Sequence, residues 1–239
     1  MRPFEFQRFT IQQTRSAMKV GFDGVLLGSW ARLGGGPILD LGTGTGLIAL
    51  MAAQRTETAT PPIVDGVEID SAAVLDARAN YLASPWHDRL RLHHARFQDW
   101  TPVSDAGYSS ILCNPPFFHE SRTVRSSRSI ARHDGELGLR DLLGSSSRLL
   151  ANDGRLSVIV PASRLEELQS LSADFALHLR RISLVRPLPE RPHHRVLVEL
   201  SAVSGFCECD ELTIETVHHQ YSPEFRRLTR NFYIQDYQP

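Results

Sequence analysis

Short apolar blocks recur along the chain, each separated from the next by a polar or glycine-rich break and a stretch of helical spacing. Residues 37–41, 63–67, 89–94, 108–113 and 155–160 are rich in aliphatic and β-branched side chains and too short for helices, so they read as strands. Residues 47–53, 72–82, 137–150 and 164–175 carry the three-to-four-residue spacing of helices between or after them. Strands that are nearly continuous in hydrophobicity and alternate with helices predict a parallel sheet covered on both faces. The rhythm then changes. Residues 177–185 and 196–202 are β-rich around a basic, proline-containing loop at 186–195, which predicts an antiparallel hairpin. Residues 212–217 add a strand signal, and Ser222 followed by Pro223 reads as the cap and first position of a short helix at 222–228. At the other end, Phe4, Phe6, Phe9 and Ile11 alternate with polar residues, which suits a short strand or an aromatic lid. A helix over 25–31 follows, with Asp23 as its N-cap, and Gly34-Gly35-Gly36 ends it.

These elements predict one α/β domain: a mostly parallel seven-stranded sheet with helices on both faces and a C-terminal antiparallel hairpin. Residues 1–36 would form an N-terminal extension, 37–202 the core, and 203–239 a closing strand and helix. A chain of 239 residues, 41% hydrophobic, can bury one such core. The net charge of −1 excludes a global basic field, so any nucleic-acid affinity must come from a local patch. Cys113, Cys207 and Cys209 form neither a disulfide framework nor a Cys-x-x-Cys pair, which points to a reducing compartment and no structural zinc. The histidine pairs 93/94, 193/194 and 218/219 lack the spacing of a helical metal site and read as surface residues. With no membrane-length apolar run and no signal-peptide core, a cytoplasmic protein without membrane contact is expected.

The chemistry gathers where strands end. Asp40 leads into Gly42-Thr43-Gly44-Thr45-Gly46, a glycine loop between strand and helix, where a backbone can approach a ligand closely. The Gly-x-Gly-x-Gly spacing differs from the Gly-x-Gly-x-x-Gly of a dinucleotide site, and an acid beside the loop disfavours pyrophosphate while suiting a cation. Glu68, ending the second strand, is placed to accept ribose hydroxyls. Asp70 or Ser71 caps the next helix. After the third strand, Asp99 in Phe97-Gln98-Asp99-Trp100 either turns the chain or accepts from an adenine amino group. The fourth strand delivers Asn114-Pro115-Pro116-Phe117. Read alone, these residues are either a turn or a grip on a planar NH2, with the Asn114 side-chain oxygen and the Pro115 carbonyl as acceptors and Phe117 as a stacking face. Beyond them Arg122, Arg125, Arg128 and Arg132 share one face if helical. They form a solvated face, part of a disordered segment, or a rail for RNA phosphates.

A glycine loop, an acid, an aspartate and Asn-Pro-Pro-aromatic at four successive strand ends resemble the Rossmann-like class I methyltransferases that use S-adenosylmethionine, in their amino-group-modifying branch. Phe9-Thr10-Ile11, the stretch from Ala17 to Ala31, Ser84-Pro85-Trp86 and the tail from Tyr221 to Tyr233 are similar to the bacterial tRNA1(Val) adenine-N6 methyltransferases, over nearly the whole chain. The resemblance implies methyl transfer to N6 of a tRNA anticodon-loop adenosine by a monomer that needs no metal. It further implies a cofactor site formed by Lys19, Gly21, Asp23, Asp40, Gly42, Gly44, Gly46, Glu68, Ile69, Gln98, Asp99 and Asn114. Asn114 to Phe117 would hold the base, and Arg191 and Arg195 would join the four arginines in RNA binding. Two residues depart from the family pattern: Phe117 replaces the commoner Tyr, and Phe22 stands where Thr is usual. The alternatives are a protein-glutamine N5-methyltransferase, adenine methylation on another RNA or on DNA, a nicotinamide oxidoreductase, and a non-catalytic nucleotide-binding module.

Overall fold

The computed structural model describes residues 2–102, 106–115 and 138–234. The chain begins with a small ladder, β1 (Phe4–Glu5) against β2 (Thr10–Ile11), and enters α1 (Phe22–Trp30). There follow β3 (Ile38–Leu41), α2 (Leu47–Arg55), β4 (Val64–Glu68), α3 (Ser71–Ala83), β5 (Leu90–His94) and β6 (Tyr108–Cys113). The second half contributes α4 (Leu139–Leu149), β7 (Leu150–Pro161), α5 (Leu165–Asp174), β8 (His178–Arg186), β9 (Arg195–Ser201) and β10 (Glu208–Thr213). It closes with a minor ladder, β11 (Glu215–Val217) against β12 (Gln220–Tyr221), and α6 (Pro223–Thr229).

The main sheet runs β10-β8-β9-β7-β6-β3-β4-β5, with β9 antiparallel to both neighbours and every other pairing parallel. Successive residues serve opposite faces. Ile38, Leu112, Ile159 and Leu197 pack with α1 and α2, whereas Leu39, Ile111, Val158, Val160, Val196 and Val198 pack with α4 and α5. Burial on both faces is why these strands read as unbroken apolar runs, and each buried aliphatic side chain contributes about 1.5–3 kcal/mol. Helices α1 and α2 approach closely because Gly28 has no side chain, and a Cβ there would lie 2.6 Å from Met51 Sδ. Arg55 fastens the same pair by donating to the carbonyls of Gly28 and Ala31, both at 2.7 Å, at the end of α1.

Three expectations change. The sheet has eight strands, because β10 adds in parallel beside β8. Its residues, Glu-Cys-Asp-Glu, carry little β signal and are held by Arg32–Glu208 and Arg186–Glu211 ion pairs and a Ser183–Asp210 hydrogen bond. Helix α1 starts at Phe22 with Gly21 as its uncapped N-cap, so Asp23 lies inside the first turn and its carboxylate is used elsewhere. His93 is no simple surface residue: its Nε2 meets Asp65 at 2.6 Å, and its ring lies 4.1 Å from that of Trp100. The chain ends are stitched together. Gln7 N donates to Phe232 O at 2.9 Å and its side chain to the carbonyls of Arg230 and Tyr233, while the Phe6 and Tyr233 rings stack.

Candidate active site

Strands β5, β4, β3 and β6 are neighbours, and the chain leaves β3 toward one side of the sheet and β6 toward the other. Ligands in open α/β sheets bind at such a reversal, outside the carboxyl ends of the strands. A cavity of about 550 Å³ lies there, within the usual range for small-molecule sites. Its wall is built from the 42–45 turn after β3, Val67 to Asp70 at the end of β4, Ala95 to Gln98 after β5 and Asn114 after β6. The 16–24 segment and the His194-Arg195 pair at the start of β9 complete it.

The glycine turn owes its shape to three left-handed residues, Gly42, Gly44 and Gly46, with φ of 69°, 56° and 85°. Only glycine adopts this without cost. Gly42 and Thr43 N–H both donate to Val67 O, at 2.9 and 3.0 Å, which pins the turn to β4. Glu68 completes the clamp: Oε2 accepts from Gly44 N–H at 2.9 Å, and Oε1 from Ile69 and Asp70 N–H at 2.9 and 2.8 Å. Below the turn Asp40 is fully buried, and its Oδ2 accepts from Thr43 Oγ at 2.6 Å and from Ala49 N–H at 3.0 Å. Burial pushes this carboxyl up to about 7, against the pull of those two donors and with the help of the Glu68 charge. Asp40 Oδ1 has no hydrogen-bond partner among the described residues. The Glu68 carboxylate against the turn makes a setting that favours a cation and repels phosphate. Cys113, buried next to Asn114, is held as a thiol by burial and by the Asp40 and Glu68 charges, so it is no nucleophile.

The opposite wall hangs from α3. Asp76 is buried in its entirety and its Oδ2 accepts from Arg15 and Ser16 N–H, each at 2.8 Å. Asn80 donates to Thr45 O at 2.8 Å and Gln12 O at 2.9 Å and accepts from Gln12 N–H, joining the glycine turn to the N-terminal segment. Gln13 accepts from Val20 N–H at 2.8 Å, and Lys19 Nζ donates to Gln13 O and Ser16 O at 2.7 and 2.6 Å. Across the mouth, Arg195 Nε donates to Asp23 Oδ2 at 2.9 Å, tying α1 to β9. Burial and the Arg195 charge lower the pKa of His194 beside it, so the imidazole is neutral at physiological pH.

Residues 24–178 match the methyltransferase small domain family. A tRNA1(Val) (adenine(37)-N6)-methyltransferase from Trichodesmium erythraeum is 41% identical over 97% of each chain, and one from Flavobacterium psychrophilum is 40% identical over 97% of this chain and 99% of its own. The chain belongs to this methyltransferase family. Among solved structures, a predicted O-methyltransferase from Agrobacterium tumefaciens superposes with a TM-score of 0.66 at 20% identity, over 88% of this chain and 96% of its own. A type I restriction-modification methyltransferase subunit from Streptococcus thermophilus gives 0.64 at 14% identity, over 92% of this chain and 53% of its own. At these identities the likeness is one of fold.

In this methyltransferase the residues expected from the sequence fall in different places. Lys19, Gly21, Asp23, Gly42, Gly44, Glu68, Ile69, Gln98 and Asn114 line the cavity, Asn114 half-buried and followed by a buried Pro115. Gly46 caps α2 just behind the wall. Three others are placed differently from expectation. Asp40 is buried beneath the turn rather than on the wall; Asp99 is 77% exposed and faces Arg96 at 3.7 Å; Arg195 is engaged with Asp23. Arg191 is exposed on the β8–β9 loop. Pro116, Phe117, Arg122, Arg125, Arg128 and Arg132 lie outside the described residues. Sequence reasoning missed Gln12, Gln13, Asp76 and Asn80. The signal was present in α3, where Asp76 and Asn80, four apart, interrupt an otherwise apolar stripe of Ala73, Ala77 and Tyr81. No helix among the described residues is long and apolar enough to cross a membrane.

Proposed function

We propose that this protein methylates N6 of adenosine 37 in tRNA1(Val), the reaction named for its relatives, with S-adenosylmethionine as donor. The observation that supports this most is the gathering of the glycine turn, Glu68 and Asn114 on one cavity at the sheet's reversal point. The β4 end, where the Glu68 carboxylate lines the cavity, suits a positively charged donor. Glu68 would accept the ribose hydroxyls at the β4 end, with Ile69 and Phe97 against the adenine. The backbone of the 42–46 turn would lie along the amino-acid part. When bound, the donor supplies a methyl on a sulfonium, already activated for attack. The chain's task is then alignment. Asn114 Oδ1 and the Pro115 carbonyl would accept the two protons of the target amine, turning its lone pair toward the methyl, an effect that positioning alone can raise by several kcal/mol.

The test is methylation of a tRNA1(Val) transcript with labelled donor, mapped by mass spectrometry, alongside a transcript with guanosine at the target position. Label in the first and not in the second is expected. Asn114→Ala should abolish transfer while donor affinity stays within about three-fold. Label on a protein glutamine, or full activity in the variant, would overturn the assignment.

A further inference from the structure

The cavity spans the sheet from β4 to β9, and its two ends differ in character. The β4 end is acidic and rich in backbone N–H groups. The β9 end is flanked by Phe22, the Asp23–Arg195 pair and the neutral His194. Phe22 lines the cavity and 41% of it is exposed. Its ring is braced from behind: Tyr221 meets it edge-on at 6.2 Å, and Phe225 lies 6.1 Å away at the start of α6. Phe225 is fully buried and its helix is capped by Ser222, whose Oγ accepts from Phe225 N–H at 3.0 Å, so the support is rigid. A flat aromatic surface fixed at its back and open at its front is the physical requirement for stacking a planar base.

We infer that Phe22 is a stacking platform for a nucleobase of the RNA substrate, at the acceptor end of the cavity; this rests on the tRNA reading given above. The reasons are positional. Glu68 and the glycine turn occupy the donor end, and Phe22 lies on the side where Arg195 reaches over from β9, next to β7 and β6 in the sheet. Beside the ring, Asp23 and Arg195 neutralise each other and His194 is neutral, which suits the exposed face to apolar contact. Stacking is tolerant of base identity, so Phe22 would contribute affinity and orientation while hydrogen bonds elsewhere select adenine.

Phe22→Ala, Phe22→Leu and Phe22→Trp separate the possibilities, with donor affinity by calorimetry and steady-state kinetics on a tRNA1(Val) transcript. Phe22→Ala should raise KM for tRNA by roughly 5- to 150-fold, the range of losing one base–aromatic stack, with donor Kd within about three-fold. Phe22→Leu keeps an apolar contact on Tyr221 and Phe225 but loses the flat face, so it should resemble the alanine variant; Phe22→Trp should restore KM. A 2-aminopurine at the target position, quenched on binding to the unaltered enzyme, should brighten with the alanine variant. Weakened donor binding at unchanged tRNA KM would overturn the inference, as would a leucine variant equal to phenylalanine. Failure of the unaltered enzyme to methylate tRNA at all would instead refute the function on which the inference rests.

Discussion

Asp40 offers a thermodynamic handle on the floor of the site. Its carboxyl is fully buried and its pKa rises from 3.8 to about 7, chiefly through burial. The folded protein therefore holds this proton over a pH range in which the unfolded chain has lost it, so stability falls as pH rises from about 4 to about 7. The span from 3.8 to about 7, at about 1.36 kcal/mol per pH unit, corresponds to roughly 4 kcal/mol. Roughly 3 kcal/mol of that falls between pH 5 and pH 8, or about 6–12 °C in Tm for a chain of this size. Asp40→Asn is the informative change, since an amide matches the protonated acid in shape and in neutrality. Glu57 and Glu167, whose pKa values are lowered by Arg8 and Arg164, titrate below this window. The lowered pKa of His194 acts in the opposite sense near 6.5, and equally in both proteins. Urea melts at half-unit steps from pH 5 to pH 8 should show wild type losing stability relative to the variant by that amount. Parallel curves would refute the assignment of a neutral buried acid beneath the turn.

Three further outcomes follow from the site's construction. Gly46→Ala, which forces a left-handed alanine at φ 85° with its Cβ 2.5 Å from the Tyr81 ring, should cost roughly 2–4 kcal/mol in chemical denaturation. Glu68→Gln sets an amide NH2 against backbone N–H donors, so donor affinity by calorimetry should fall about 10- to 100-fold, and unchanged affinity would remove Glu68 from the ribose site. Asp76→Ala strands the Arg15 and Ser16 N–H groups; the expected loss is roughly 2–4 kcal/mol, with faster hydrogen exchange over residues 12–20.

Much of this could be read in the chain because parallel strands buried on both faces advertise themselves as apolar blocks, and because turns such as Gly42 to Gly46 require glycine. The order of the strand ends then put Glu68 and Asn114 beside that turn. What stayed hidden depends on contacts distant in sequence. β10 has the composition of a loop and becomes a strand only through arginines on α1's end and β8. Asp40 and Asp99 looked equivalent as acids near strand ends, yet one is sealed under the turn and the other faces solvent. Asp23 looked like a helix cap, but Arg195, 172 residues later, claims its carboxylate. No local pattern encodes such partners.

The stitching of Gln7 to Arg230, Phe232 and Tyr233, and of Phe22 to Tyr221 and Phe225, has a consequence for biosynthesis. The central strands can collapse while the polypeptide is still emerging from the ribosome. The wall contributed by residues 16–24 cannot settle until its bracing rings arrive, some two hundred residues later. Nascent molecules would thus be folded before they are competent, and a premature stop just ahead of Tyr221 would yield a sheet with an unfinished door.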